Sequence, residues 1–339
     1  MKEWIKNNIK YIVIILIIVI IMTFFMTKKE GYHEDEMFSY GSSNYTWDNV
    51  YRPYGKEDAT NVLVRTKIAK GNLFNILKNV KYYVWDHRDE TDSFLLEFDS
   101  SKKPIWRTSE EAKDYLTVEG NEVGNYFKVY YNQARDVHPP LFYFLVHTVS
   151  LFFYGTFSKY IIYSINIIFM IASLVTIKKI FEAIDKKHLI IPGLILYGCS
   201  MGAISTVILQ RMYAMLTFFS LGFILINIKI AKNDFRIDKK TWIELGFITV
   251  LGFLTQYYFC ILAVLIALMI FIEICRKKDK KQILKYIFNY AKIAVIGIVI
   301  YPFAINHMFF SYRGVGEAKM QRGFIEKLID YFNLVRIFI

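Results

Sequence analysis

Six stretches of this chain are so apolar that a bilayer is their natural solvent. Residues 11–26 are nearly all Ile, Val, Leu, Met and Phe, and further runs cover 141–153, 160–177, 189–228, 242–274 and 293–305. A helix crosses the hydrocarbon core with about 20 mostly apolar residues. By that length the runs divide into roughly seven to nine hydrophobic segments. The fold class that follows is an all-α polytopic membrane protein, multi-pass in the cell membrane.

The first run is long for a secretory leader, and Thr27, Lys28, Lys29 and Glu30 follow it in place of a small-residue cleavage site. It reads as an uncleaved first span. The formal net charge of +12 does not point to nucleic acid, because the basic residues sit largely in short loops between apolar runs, the positive-inside pattern. Cys199, Cys260 and Cys275 lie in or beside apolar runs with no metal-ligand spacing. They read as buried thiols.

Lys2, Lys6 and Lys10 precede the first run, so the N-terminus is expected in the cytoplasm and residues 28–137 outside it. That gives four regions: 1–27, the N-terminus and first span; 28–137, an extracytoplasmic loop; 138–306, a helix bundle; and 307–339, an outer loop leading into a further apolar segment. The 28–137 loop is too long and too mixed for a connector. Apolar spacing over 109–135 and over 58–77 suggests amphipathic helices on the membrane surface, with ordinary packed helices as the plainer alternative. Basic loops at 178–188, 229–240 and 276–285 are expected inside, and so Arg211, Gln256, His307 and Arg313 outside. One count does not close: His138 outside and Lys178 inside need an odd number of crossings, yet 139–177 reads as two helices broken near 155–158. Either one of the two dips without crossing or a basic loop is misassigned.

The outer residues that could do chemistry fall into short groups. Asp35 and Glu36 are adjacent and would point in different directions on a regular element. One could act as general base while the other orients the loop or contacts a metal; the alternative is a solvated acidic patch. Asp136 and His138 precede Pro139 and Pro140, which start a helix and hold them rigidly at the interface. An Arg between apolar runs, Arg211 beside Tyr213, either pairs with an anion or snorkels to headgroups. Gln256, Tyr257 and His307 are weaker signals, since Tyr at a membrane interface is commonly an aromatic belt. No phosphate-binding loop and no dinucleotide fingerprint occur, and no cytoplasmic stretch could form a nucleotide-sugar domain. An activated donor would therefore be presented in the membrane.

Asp-Glu early in the outer loop, then DVHPPLFYFLVH, QRMYAML, TQYYF and HMFFSYRG in this order, resembles the GT-C superfamily. More narrowly, it resembles the bacterial relatives of dolichyl-phosphate-mannose protein mannosyltransferases and of the aminoarabinose transferase that modifies lipid A. The resemblance runs from Asp35 to Gly314. It implies a GT-C-like helix bundle and a glycosyltransferase that takes a polyprenyl-phosphate-linked sugar and faces away from the cytoplasm. It further implies Asp35 as the catalytic carboxylate, Glu36 in support, Asp136 and His138 beside them, and Arg211 on the lipid phosphate. The first outer loop is longer than in the simplest relatives. The chain also stops at Ile339 within an apolar stretch, 324–339, where relatives continue.

The expected reaction is an inverting transfer to an acceptor hydroxyl on a lipid, protein or glycan. Asp35 takes the proton, and Arg211, with Arg313 or His307, meets the charge of the leaving phosphate. Tyr213, Gln256 and Tyr257 complete the candidate donor site. No cofactor is required, and a divalent metal bridging Asp35, His138 and the phosphate is compatible with the residues. The rival is a transporter or flippase for a lipid-linked or polar solute, which would place ionisable residues near mid-span on broken helices. A non-catalytic assembly subunit is the third reading.

Overall fold

The computed structural model describes residues 2–45, 108–277 and 279–309. The candidate helix at 58–77, the apolar stretch 324–339 and Arg313 lie outside them. All regular structure among the described residues is helical: α1 (Lys2–Lys28), α2 (Glu34–Asn44), α3 (Ser109–Leu116), α4 (Tyr126–Arg135), α5 (Leu141–Leu151), α6 (Lys159–Ala183), α7 (Ile190–Gly198), α8 (Met201–Ile208), α9 (Tyr213–Lys232), α10 (Lys239–Thr255), α11 (Tyr258–Arg276), α12 (Lys280–Ile300) and α13 (Phe303–Phe309).

Five of these are long and apolar enough to cross a membrane: α1 from Asn8, α6, α9, α11 and α12. A sixth is counted if α7 and α8, bent by 55° at their junction, form one broken span. This is compatible with a multi-pass membrane protein. Ile20, Leu196, Val264 and Val299 stand exposed on the bundle's outer surface. Apolar exposure on that scale suits lipid and not water.

Local chemistry sets the helix ends. Asp238 caps α10 by accepting from the Thr241 N–H at 2.7 Å, and Asp279 caps α12 through the Gln282 N–H at 3.1 Å. Ser200 accepts from the Ala203 N–H at 3.1 Å, starting α8 at the bend. Gly198 ends α7 there, and its missing side chain lets α1 close in: a Cβ would sit 2.5 Å from the Ile18 side chain.

Both ends of the bundle are identifiable by their contacts. At one end the basic loops meet: Lys232 pairs with Asp185, Lys277 pairs with Asp234, and the Lys178 ammonium lies 5.2 Å from the Tyr11 ring centroid. At the other end lie residues 28–45, 108–158, 209–212, 256–257 and 301–309.

The two helices of 139–177 differ in reach. The 11-residue α5 extends only about 17 Å at 1.5 Å per residue, half of what a span needs. The chain then turns back: the Gly155 N–H donates to the Val118 carbonyl at 3.2 Å, and Tyr40 Oη donates to the Ser158 carbonyl at 2.8 Å. Lys159, first in α6, reaches the Thr27 and Lys29 carbonyls at the end of α1. Thus α5 begins and ends at one end of the bundle, and α6 alone runs to the other.

Three sequence expectations are corrected. The 109–135 helix is broken into α3, a 3-10 turn at Gly120–Glu122 and α4, because Gly120 and Gly124 adopt φ +52° and +69°, which a continuing helix excludes. The last span does not run to His307. It ends at Ile300, since Pro302 supplies no N–H and forces Tyr301 out of the helical region, to φ −138° and ψ 78°. The three thiols are free but not buried: Cys199 is exposed and the other two are half-buried.

The main core packs α2–α5 against α6 and α9–α12. A second core joins α1 to α6–α8. A third, around Tyr301 and Phe303, seats α13 against α10 and α4.

Candidate active site

The site begins with the start of α2. His33 is its N-cap, accepting from the Asp35 N–H on Nδ1 at 3.2 Å, while the Glu36 carboxylate reaches back to the His33 N–H at 2.6 Å. This reciprocal pair is a capping box. Glu36 does more than cap. Its side chain is fully buried and paired with Lys29 at 3.0 Å, and its second oxygen accepts from the Gln210 N–H at 2.8 Å. Three donors therefore hold one carboxylate, and it pins the α1–α2 turn to the turn between α8 and α9.

Asp35 is the opposite case. Its side chain is 51% exposed, and the His33 ring nitrogen lies 3.9 Å away. Its backbone carbonyl, not its carboxylate, binds Arg211, accepting from Nη1 at 2.9 Å. The carboxylate is left at the mouth of the site.

Arg211 occupies the turn at 209–212. Asn166 of α6 shapes that turn by donating to the Val207 and Leu209 carbonyls at 3.1 and 3.0 Å. The guanidinium is 4% exposed. Besides Asp35, Nη1 donates to Ser39 Oγ at 3.2 Å, and Nη2 meets His138 Nε2 at 3.1 Å. Arginine has five N–H donors and no acceptor, so His138 Nε2 must accept. The His138 proton then lies on Nδ1, facing the Asp136 carboxylate at 2.8 Å. Asp136, His138 and Arg211 thus form a chain in which a carboxylate orients an imidazole, and the imidazole orients a guanidinium.

Burial alone would push the Asp136 carboxyl up. Its electrostatic and hydrogen-bonded pairing with His138, then the Val137 backbone N–H and the Arg211 cation, outweigh it and hold Asp136 well below the usual carboxylate range. Three protein contacts use three of the five Arg211 donors, and Nε is buried with no partner among the described residues. The Gln210 side chain next to it is fully buried, and both its polar atoms also lack partners there.

A second group adjoins the first. Gln256 caps the α10–α11 turn, its Oε1 accepting from the Tyr257 N–H at 2.7 Å. Tyr257 Oη lies 2.8 Å from His307 Nδ1, and His307 Nε2 lies 3.0 Å from the Ala134 carbonyl. A carbonyl only accepts, so Nε2 carries the proton and Tyr257 donates to Nδ1. Burial pushes His307 down to about 4, consistent with a neutral ring. His307 therefore presents no N–H to an anion and acts as a bridge between α13, α11 and α4. Tyr301 Oη approaches the His138 carbonyl at 3.5 Å, joining the two groups. Tyr213, half-buried at the start of α9, packs on the main core.

Asp35, Glu36, Asp136, His138 and Arg211 are thus brought into one hydrogen-bonded cluster, while Gln256, Tyr257 and His307 form the adjoining one. Ser39, Lys29 and Asn166 were not singled out from sequence. Ser39 had a readable signal, since it lies four residues after Asp35 on the same helix face. Lys29 and Asn166 had none.

No three His, Cys, Asp or Glu side chains group as a metal ion would need among the described residues, and both His138 nitrogens are engaged, one by a guanidinium. No family model, curated protein or solved structure matches this chain.

Proposed function

We propose that this chain is a membrane glycosyltransferase that moves a sugar from a polyprenyl-phosphate donor to an acceptor hydroxyl, with its site on the extracytoplasmic face. The observation that carries this reading is the union, 176 residues apart in sequence, of the buried Arg211 cation with the residue whose carboxylate is left exposed, Asp35. An anion-binding cation beside an exposed base is the pair that displacement of a phosphate by a hydroxyl needs. The order of motifs that resembles GT-C enzymes supports the same reading. So does the positive-inside pattern, which puts the basic loops in the cytoplasm and this cluster outside.

In the proposed step Asp35 removes the acceptor proton as the acceptor oxygen bonds to the anomeric carbon. The bond from that carbon to the phosphate oxygen breaks, and polyprenyl phosphate leaves with the electron pair. The spare Arg211 donors meet the charge developing on it. Attack opposite the leaving group inverts the anomeric centre. Asp136 and His138 act through Arg211, holding its plane, and Glu36 holds the loop that carries it.

The test is a titration of undecaprenyl phosphate against the purified protein in detergent, followed by thermal stability. Saturable stabilisation of the wild type, lost in Arg211→Ala measured against its own unliganded melt, supports the reading. A well-folded wild type that gains nothing removes it. A transporter of a lipid-linked solute is the second reading, favoured by the bent pair α7–α8 that leads into Arg211. It predicts movement of a labelled polyprenyl phosphate across reconstituted vesicles that persists in Asp35→Asn.

A further inference from the structure

The first turn of α5 carries a residue to which the proposed mechanism gives no role. Tyr143 is 0% exposed, and its hydroxyl has no hydrogen-bond partner among the described residues. Its ring centroid lies 6.3 Å from that of His138, and it stands in electrostatic range of Arg211, Asp136 and Asp35. A buried hydroxyl without a partner is destabilising, so buried tyrosines ordinarily find one. Arg211, whose own Nε is also orphaned among the described residues, meets the same His138 ring, its Nη2 lying 3.1 Å from His138 Nε2. Two polar groups with unspent donors, one of them cationic, are thus joined through the His138 ring. An anionic oxygen is the acceptor that would satisfy both.

We infer that Tyr143 is a ligand-binding residue, its hydroxyl donating to the same phosphate group that the spare N–H of Arg211 receives. This rests on the proposed polyprenyl-phosphate reading and adds a residue to it. The fixed Pro139–Pro140 start of α5 gives the phenol a rigid seat, and the His138 ring beside it is held by Asp136 and Arg211.

Tyr143→Phe removes the oxygen and keeps the ring. If the hydroxyl waits for a ligand, the unliganded variant melts at or above the wild-type temperature, because an unpartnered polar group has been deleted. Its affinity for undecaprenyl phosphate falls about 10-fold or more, as expected for a lost hydrogen bond to a charged group. Undecaprenol, which has no phosphate, binds wild type and variant alike, and inorganic phosphate at saturation competes in the wild type more strongly than in Tyr143→Phe. The inference is overturned if the unliganded variant melts lower, which would mean the hydroxyl is already satisfied inside the protein. It is also overturned if the affinity for undecaprenyl phosphate is unchanged while Arg211→Ala abolishes binding. A wild type that does not bind undecaprenyl phosphate at all overturns both this inference and the reading beneath it, which separates the two failures.

Discussion

Adjacent carboxylates in this protein should respond to mutation in opposite ways, although Asp35 and Glu36 share a helix turn. Consider each replaced by Ala. Glu36→Ala leaves Lys29, only 14% exposed, without its partner, and it strands the His33 and Gln210 N–H groups that lie 2.6 and 2.8 Å from the carboxylate. Breaking a buried ion pair costs about 3–5 kcal/mol. Lys29 keeps some access to water, which reduces its share to roughly 2 kcal/mol. Each stranded backbone donor adds about 1 kcal/mol or more. The total is roughly 4 kcal/mol, or a fall of about 10 °C in melting temperature at the usual scaling for larger domains. Asp35→Ala loses only a 3.9 Å contact with an exposed His33, at most about 1 kcal/mol, because its carbonyl and not its carboxylate holds Arg211. Thermal unfolding of the two variants in detergent reads the difference directly. Comparable falls in the two, or a larger one in Asp35→Ala, would refute the assignment of Glu36 as the structural tie. The companion measurement is transfer itself: Asp35→Asn should abolish it in a protein that melts like the wild type.

The remaining predictions concern pH and packing. His307 has its folded pKa lowered to about 4 against an unfolded value of about 6.5, so the unfolded chain binds the extra proton first. Stability is therefore full above pH 6.5 and declines as pH falls toward 4; melting curves of the wild type and His307→Gln should converge over that window. Asp136 has its pKa lowered, so its contribution is present above the unfolded value of about 3.9 and is lost as pH falls below it. The stability gap between wild type and Asp136→Asn should accordingly narrow below about pH 4. Gly41 faces the Tyr115 ring so closely that a Cβ would lie 1.8 Å from it. Gly41→Ala should cost about 1–3 kcal/mol, and adding Tyr115→Ala should cost less than the sum of the two changes.

Much of the helical plan was readable because the bilayer leaves few options. Apolar length marked the long helices, although five or at most six of them are long and apolar enough to span where seven to nine segments were expected, and Pro139 and Pro140 announced the start of α5. What escaped were places where a short-range signal overrode a long apolar pattern. The 109–135 periodicity looked continuous, but Gly120 and Gly124 turned it twice. The last span looked longer than it is because its apolar residues continue past Tyr301, while Pro302 ends the helix. The motif residues were legible individually. Their roles were not, because adjacency in sequence gives Asp35 and Glu36 the same apparent standing. Only tertiary contact divides them: the Gln210 N–H, 174 positions away, donates to the Glu36 carboxylate, and Arg211 donates to the Asp35 backbone carbonyl.

The short α5 explains how both divisions arise. A full-length helix after Pro140 would carry the chain across the bilayer and leave the next span to return it, placing the 209–212 turn at the opposite end from Asp35. An 11-residue helix is too short to cross, so the chain stays at one end of the bundle and α6 runs to the other. Counted as one broken span, α7–α8 returns the chain, and Arg211 lies beside α2. The reversal at Gly155 and Ser158 is fixed by hydrogen bonds to Val118 and Tyr40, which belong to the same outer segments that carry the site. The count of crossings and the assembly of Asp35, His138 and Arg211 therefore have one structural cause. Lengthening α5 by two turns should harm both together: Arg211 would lose its acceptor on α2, and thiol labelling of a cysteine placed at the 233–238 loop should change sides. Retention of the original side with the site intact would mean that α5 is not what sets the parity.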